Sequence, residues 1–231
     1  MGQNISADEY NIFRQFLQDA CGIVLGDNKQ YLVSSRLRKV AQDEGLNDVG
    51  ELIRTLNSKP FSTFKERVVD AMTTNETLWF RDAHPFKILQ ERILPEICVK
   101  QKSIDIWCAA SSTGQEPYSI SIIIEEFKRS NPGKLVNERV MATDISTTVL
   151  EQARKGEYDQ LALGRGMSPD LLSRYFAKTQ DGWQLNKDIS KRVQYRSLNL
   201  LHSYSTLGRF DVVFCRNVLI YFSADLKADI L

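Results

Sequence analysis

The 231-residue chain is poor in the residues that build metal and nucleophile sites. It has two histidines and four cysteines, and no two cysteines form a CxxC pair. This argues against a structural zinc site, and no metal is expected. Cys98, Cys108 and Cys215 sit in apolar runs and read as small core residues in a reducing compartment. Long apolar stretches are missing too: none approaches the roughly 18–20 residues of a membrane span. The start, Met1-Gly2-Gln3-Asn4-Ile5-Ser6, has neither the basic end nor the apolar core of a secretory signal. Gly2 with Ser6 matches a myristoylation pattern, but Ser6 is explained more simply as a helix cap. An excess of one charge is absent as well. Lys and Arg total 30 against 29 Asp and Glu, a net +1 that argues against a generic nucleic-acid binder. The expectation is a cytoplasmic protein with no membrane insertion.

What is present is ordinary globular composition, 42% hydrophobic and 26% charged, in two textures. Ser6 and Glu9 form a capping box ahead of Ile12, Phe13, Phe16, Leu17 and Ala20 at helical spacing, and Cys21-Gly22 ends that helix. A second helix is predicted over residues 29–43, with Leu32, Val33, Leu37 and Val40 facing inward and Gly45 as its stop. Residues 49–56 and 61–72 predict two more short helices separated by Ser58-Lys59-Pro60. Residues 1–72 therefore read as a small all-helical domain. Residues 73–95 read as a polar linker and a leading helix that carries Phe86, Ile88, Leu89 and Ile93 and ends near Pro95.

Residues 96–231 read as an α/β domain. Residues 103–110 predict a buried strand, 118–127 an apolar helix, and 140–143 a second strand ending on Asp144. Ser146 caps a helix that stops at Gly156. This is the βαβ order of a parallel sheet. Residues 160–192 interrupt it with a small antiparallel excursion, in which Asp181-Gly182 turns a hairpin between residues 177–179 and 183–185. The sheet resumes at 193–196 and 210–215, and Ser223 caps a last helix still in progress at Leu231. The pattern calls for a further strand downstream, so the chain is expected to be cut short at its C-terminus.

Ligands of an open parallel sheet lie beyond the carboxyl ends of its strands. Those positions are residues 109–116, Asp144, Asn199-Leu200 and Arg216-Asn217. The first turn has Gly114 but neither GxGxxG nor GxxxxGK[ST], which disfavours NAD, FAD and ATP. Asp144, about 35 residues past the first strand, is placed to accept two ribose hydroxyls or to start the helix capped by Ser146. Glu116 has two equivalent readings: a partner for a ligand cation, or a carboxylate easing the unpaired N–H groups at a helix start. Together they favour a ligand with a ribose and an ammonium group but no phosphates, as in S-adenosylmethionine.

Four segments carry a resemblance: Asn75-Glu76-Thr77-Leu78-Trp79-Phe80-Arg81, Ser112-Thr113-Gly114-Gln115-Glu116-Pro117-Tyr118-Ser119, Ala142-Thr143-Asp144-Ile145, and Phe214-Cys215-Arg216-Asn217-Val218-Leu219-Ile220-Tyr221-Phe222. In this order they resemble the bacterial chemotaxis receptor glutamate methyltransferases, the CheR family, over essentially the whole chain. The resemblance implies a helical N-terminal receptor-recognition domain and a doubly wound class I methyltransferase domain with an inserted β subdomain. It also implies an S-adenosylmethionine-dependent O-methyltransferase, releasing S-adenosylhomocysteine, that acts on glutamates of the coiled-coil cytoplasmic region of chemoreceptors. Carried over by matching positions, the cofactor contacts are Asn75, Thr77, Arg81, Ala110, Glu116, Asp144, Asn199, Leu200 and Asn217, with Arg81 and Tyr221 near the transferred methyl. Arg36, Arg38 and Lys39, in an acid-free stretch of the second helix, are implied to meet the acidic receptor helices. His84 and His202 receive no catalytic role. The short hairpin is similar to the type that does not use a receptor pentapeptide tether. A monomer is expected, with dimerisation through an exposed sheet edge as the alternative state. The rival functions are a small-molecule methyltransferase and a non-catalytic cofactor-sensing module.

Overall fold

The computed structural model describes residues 5–56 and 63–231; Gly2, the Ser58-Lys59-Pro60 separator and Phe61 lie outside the described residues. Two units form. One comprises the described residues up to Thr74 with Asn199–Ser203 and Asn217–Leu231; the other comprises Asn75–Leu198 with Tyr204–Arg216.

The first unit is helical: α1 (Ala7–Cys21), α2 (Gln30–Asp43), α3 (Val49–Leu56) and α4 (Thr63–Met72). The capping box forms as expected, with Glu9 N donating to Ser6 Oγ at 3.2 Å and Ser6 N to Glu9 Oε2 at 2.9 Å. The buried stripe of α1 is Tyr10, Phe13, Leu17 and Cys21. This corrects the expected stripe, because Ile12 is exposed and Phe16 and Ala20 are only half-buried. Both periodicities fit one apolar-rich helix, and packing chooses between them. Val33, Leu37 and Val40 of α2 are buried, whereas Leu32 is half-buried. Leu52, Ile53, Leu56, Val68 and Val69 complete this core. Leu201, Phe222 and Leu226 lie against Gly22 at the end of α1.

In the second unit, α5 (His84–Ile88) runs through a π turn (Leu89–Ile93) into α6 (Leu94–Lys100). The helix expected to end near Pro95 therefore continues past it. The π turn widens the spiral just before the proline, which sits in the first turn of α6, where its missing N–H costs little. The remaining elements are β1 (Ser103–Ala109), α7 (Gln115–Ser130), β2 (Asn137–Asp144), α8 (Thr147–Lys155), β3 (Glu157–Tyr158), α9 (Gln160–Gly164), α10 (Pro169–Tyr175), β4 (Phe176–Lys178), β5 (Trp183–Leu185), α11 (Lys187–Ser190), β6 (Val193–Ser197) and β7 (Val212–Cys215); in the helical unit, α12 (Ala224–Ile230) closes the chain. The parallel sheet has the order β6-β2-β1-β7, and Cys108 registers with Ala142 on one side and Phe214 on the other. β1 is buried almost without alternation, as expected for a strand covered on both faces.

The antiparallel excursion has three strands, β3-β5-β4, one more than expected. It is tied to the segment before α5 through Trp79, whose ring centroid lies 4.9 Å from that of Tyr158 and 5.4 Å from that of Phe176. Gly166, at φ +104°, brings its backbone onto Trp79 so closely that a Cβ there would sit 2.1 Å from the Trp79 carbonyl oxygen. Cys108 is buried in the core as expected, but Cys98 on α6 and Cys215 at the end of β7 are half-buried. Among the described residues, no helix is long and apolar enough to cross a membrane.

Candidate active site

The loop from β1 to α7 has left-handed backbone at Ala110 (φ 59°), Ser112 (φ 50°) and Gly114 (φ 94°). Two of these are not glycine, a conformation that persists where the surroundings hold it. Ser111 N donates to the Thr143 carbonyl at 2.9 Å, and Ser112 N donates to Asp144 Oδ2 at 2.8 Å. Beneath the loop, Gly114 faces the Tyr158 and Tyr195 hydroxyls and Ala153, which leave no room for a side chain. Tyr158, from the inserted sheet, donates to the Thr113 carbonyl at 2.8 Å. This link was not legible beforehand, because the residues are 45 apart and join the inserted sheet to the β1–α7 loop.

Asp144 ends β2 and is 7% exposed. Its Oδ1 accepts the Ser146 N–H at 3.0 Å, while Oδ2 holds the loop through Ser112. The helix-start reading is thus present in the geometry, and Asp144 also fixes the loop. A carboxylate offers about four acceptor sites, so one group can anchor the loop and the helix start together. Ser146 caps α8 with its own hydroxyl, accepting from Val149 N.

Glu116 lies in the first turn of α7 with a side chain 12% exposed, and its Oε2 is 2.6 Å from Arg216 Nη1. Burial pushes its carboxyl up to about 7 even though the Arg216 and Arg81 charges pull the other way. Arg216 stood among the strand-end positions without a role of its own; its place directly after β7 was the available signal.

Asn75, Thr77 and Arg81 lie on a strap that reaches the same loop. Ser112 Oγ donates to the Asn75 carbonyl at 2.8 Å, Phe80 N donates to Ser119 Oγ at 3.1 Å, and Arg81 Nη1 donates to the Glu76 carbonyl at 3.1 Å. The structure thus brings Asn75, Arg81, Ala110, Glu116 and Asp144 together around the ends of β1, β2 and β7, with Thr77 on the same strap.

Asn199, Leu200, Asn217 and Tyr221 belong to the helical unit. Asn199 Nδ2 donates to the Ala20 carbonyl at 2.8 Å and its Oδ1 accepts from Leu201 N at 3.1 Å, so its amide is committed to local structure. Asn217 has φ 57°, and Val24 N donates to the Tyr221 carbonyl at 2.9 Å. On α2, Arg36 reaches backbone instead of solvent: Nη1 donates to the Met72 and Thr73 carbonyls at 2.6 and 2.9 Å, and Nη2 to Thr74 Oγ1 at 3.0 Å. Lys39 pairs with Asp43 at 3.3 Å, while Arg38 is exposed. His84 and His202 are exposed.

The donor set suits S-adenosylmethionine. Asp144 offers an anchored anionic acceptor for a diol and Glu116 a second carboxylate for an ammonium group, at the ends of neighbouring elements. The loop between them lacks the repeated glycines of a diphosphate cradle.

Comparison with known proteins agrees. Residues 8–73 match the CheR methyltransferase all-alpha domain, and residues 75–231 match the CheR methyltransferase SAM binding domain. The chain is 53% identical over 227 residues to chemotaxis protein methyltransferase 1 of Pseudomonas aeruginosa, a match covering 96% of this chain and 82% of the relative. It is 49% identical over 228 residues to chemotaxis protein methyltransferase 1 of Vibrio cholerae, covering 98% and 83%. It is 37% identical over 222 residues to the chemotaxis protein methyltransferase of Salmonella typhimurium, covering 94% and 74%. With both domain models matched in order and these identities along nearly the whole chain, the protein belongs to the CheR family and is an S-adenosylmethionine-dependent protein-glutamate O-methyltransferase of chemoreceptors.

Proposed function

We infer that the two buried carboxylates divide the cofactor between them, Asp144 taking the ribose hydroxyls and Glu116 the methionine ammonium. The observation that carries this is Asp144 itself, a carboxylate buried at the end of β2 and held in place by two backbone N–H groups. Arg81 faces the methionine carboxylate and the transferred methyl, and Asn75, Thr77 and Ala110 line the methionine end. Asn199, Leu200, Asn217 and Tyr221, which belong to the helical unit, are the further cofactor residues that the family motifs imply. When bound, S-adenosylmethionine supplies the methyl on a sulfonium leaving group. The protein then has little proton chemistry to perform, because a receptor glutamate with a pKa of about 4.3 is already ionised. Its residues align carboxylate oxygen, methyl carbon and sulfur, and exclude water.

In this reading residues 1–72 recognise the receptor, 73–95 connect, and 96–231, with an inserted subdomain at about 160–192, carry catalysis in the cytoplasm. Arg38 leads receptor steering, with Lys39 beside it; Arg36 supports the helix pair from its backbone contacts. The edge strands of the inserted sheet, β3 with two residues and β4 with three, give a tethering pentapeptide little to extend, so recognition works without a tether and with a monomeric enzyme. The test is methyl transfer from labelled S-adenosylmethionine to a receptor cytoplasmic fragment, together with calorimetric titration of S-adenosylhomocysteine. The expected product is an alkali-labile ester on glutamate. Label stable to alkali, or cofactor binding that Asp144→Ala and Glu116→Gln both leave unchanged, would overturn the site assignment.

A further inference from the structure

Two stretches of chain with no regular structure in common converge on the Arg216 guanidinium. Nη1 lies 2.6 Å from Glu116 Oε2, and Nη2 donates to the Arg81 carbonyl at 2.8 Å and lies 2.7 Å from Asp82 Oδ2. Its Cζ stands 5.5 Å from the Phe86 ring centroid, and the side chain is 16% exposed. The stretch it grips is strained: Phe80 (φ 48°), Asp82 (φ 65°) and Ala83 (φ 43°) are non-glycine residues in the left-handed region, all within four positions around Arg81. Such backbone persists only where neighbouring groups over-determine it. Ser119 Oγ fixes one end through Phe80 N, and Arg216 fixes the Arg81 peptide itself.

We propose that Arg216 is a positioning residue for methyl transfer, latching the Arg81 strap to Glu116 so that Arg81 keeps its place at the methionine end. This rests on the roles given above to Arg81 and Glu116. The competing explanation is that Arg216 only neutralises a buried carboxylate. The two differ in what they ask of the side chain. A counter-ion needs one positive charge, which lysine supplies, whereas the latch needs a planar fork that reaches a carboxylate and a peptide carbonyl at once.

Arg216→Lys therefore separates them when turnover and S-adenosylhomocysteine affinity are measured on the same preparation. Turnover is expected to fall ~30-fold or more, since small misplacements in a site cost about 100-fold. Affinity should fall less than turnover, by at most about tenfold, because the charge opposite Glu116 remains and only the Arg81 contact with the methionine carboxylate loosens. Asp82→Asn weakens the latch from its exposed side while the Arg216–Glu116 pair stays in place, and should lower turnover roughly three- to tenfold with affinity within about threefold. Parent turnover in Arg216→Lys, or a loss of affinity as large as the loss of turnover, overturns the latch. If Arg216→Lys does not fold, Asp82→Asn decides, and parent turnover there overturns it equally. Arg81→Ala distinguishes the two levels of inference. Normal turnover in that variant removes the reading of Arg81 itself, whereas a crippled Arg81→Ala beside a normal Arg216→Lys removes the latch alone.

Discussion

Two largely buried arginines in the α/β unit do different work with the same chemistry. Arg192, 6% exposed, uses all three guanidinium nitrogens on regular elements: Nε to Glu138 of β2 at 3.1 Å, Nη2 to Glu125 at 2.7 Å, and Nη1 to Ser121 O and Oγ at 2.8 Å, the last two residues on α7. Glu138 also meets Lys128 at 2.6 Å. Arg216 instead binds the first turn of α7 and an irregular strap, and burial raises its carboxylate partner to about 7. Burial alone does not separate a structural ion pair from a functional one. What separates them here is whether the partners belong to elements that packing already holds.

Breaking the Arg192 cluster should give the largest effect, and one confined to stability. Arg192→Met leaves the half-buried Glu125 without its cation and the buried Glu138 with Lys128 alone, a loss of about 3 kcal/mol. Thermal denaturation should show a drop of ~10 °C, while folded protein binds S-adenosylhomocysteine normally. A loss below about 1 kcal/mol would erase the contrast with Arg216. Asp144→Ala should invert that pattern, keeping the fold and raising the dissociation constant for S-adenosylhomocysteine roughly 10- to 100-fold, since a hydrogen bond to a charged group contributes about 1.5–3 kcal/mol.

Glu116 sharpens the comparison through pH. In the free protein its carboxyl titrates at about 7, raised by burial, whereas an ammonium partner would hold it ionised. Binding then expels a proton below pH 7, and affinity falls as pH is lowered through 7. The slope should approach tenfold per unit, or about 1.4 kcal/mol. Calorimetry in buffers of different ionisation enthalpy reads that proton directly, and Glu116→Gln should flatten the profile. The smallest effect lies on the helical unit. Arg38→Ala should slow receptor methylation a few-fold at low ionic strength, less at high salt, with cofactor affinity constant. Equal rates at every salt concentration would remove Arg38 from recognition.

Much of the architecture was legible because it depends on local rules. The Ser6–Glu9 box, the Ser146 and Ser223 caps, and the near-continuous burial of β1 all follow from short-range chemistry. The misreadings have specific causes. Pro95 looked like a helix end because one-dimensional reading does not anticipate a π turn that absorbs it. The α1 stripe shifted because Ile12 and Phe16 satisfy helical spacing as well as Tyr10 and Phe13 do. β3 is two residues long, too short for any alternation to register. At the site, Asp144 and Glu116 were readable from their places at element ends. The grip of Arg36 on the Met72 and Thr73 carbonyls was not, since a run of cations looks the same whether it faces solvent or backbone.

Spacing and residue type along a few neighbouring turns were enough for the helical and α/β textures, for the strand-end positions where a ligand must lie, and, through four short motifs, for the family and its cofactor. Which charges answer each other emerged only on folding. Glu116 meets Arg216 across 100 residues of chain, Tyr158 reaches Thr113 from the inserted sheet, and Arg192 closes on Ser121, Glu125 and Glu138. Whether a charged side chain is solvated, paired or left as the partner for a ligand depends on the dielectric and neighbours that folding places around it, and no local pattern encodes those.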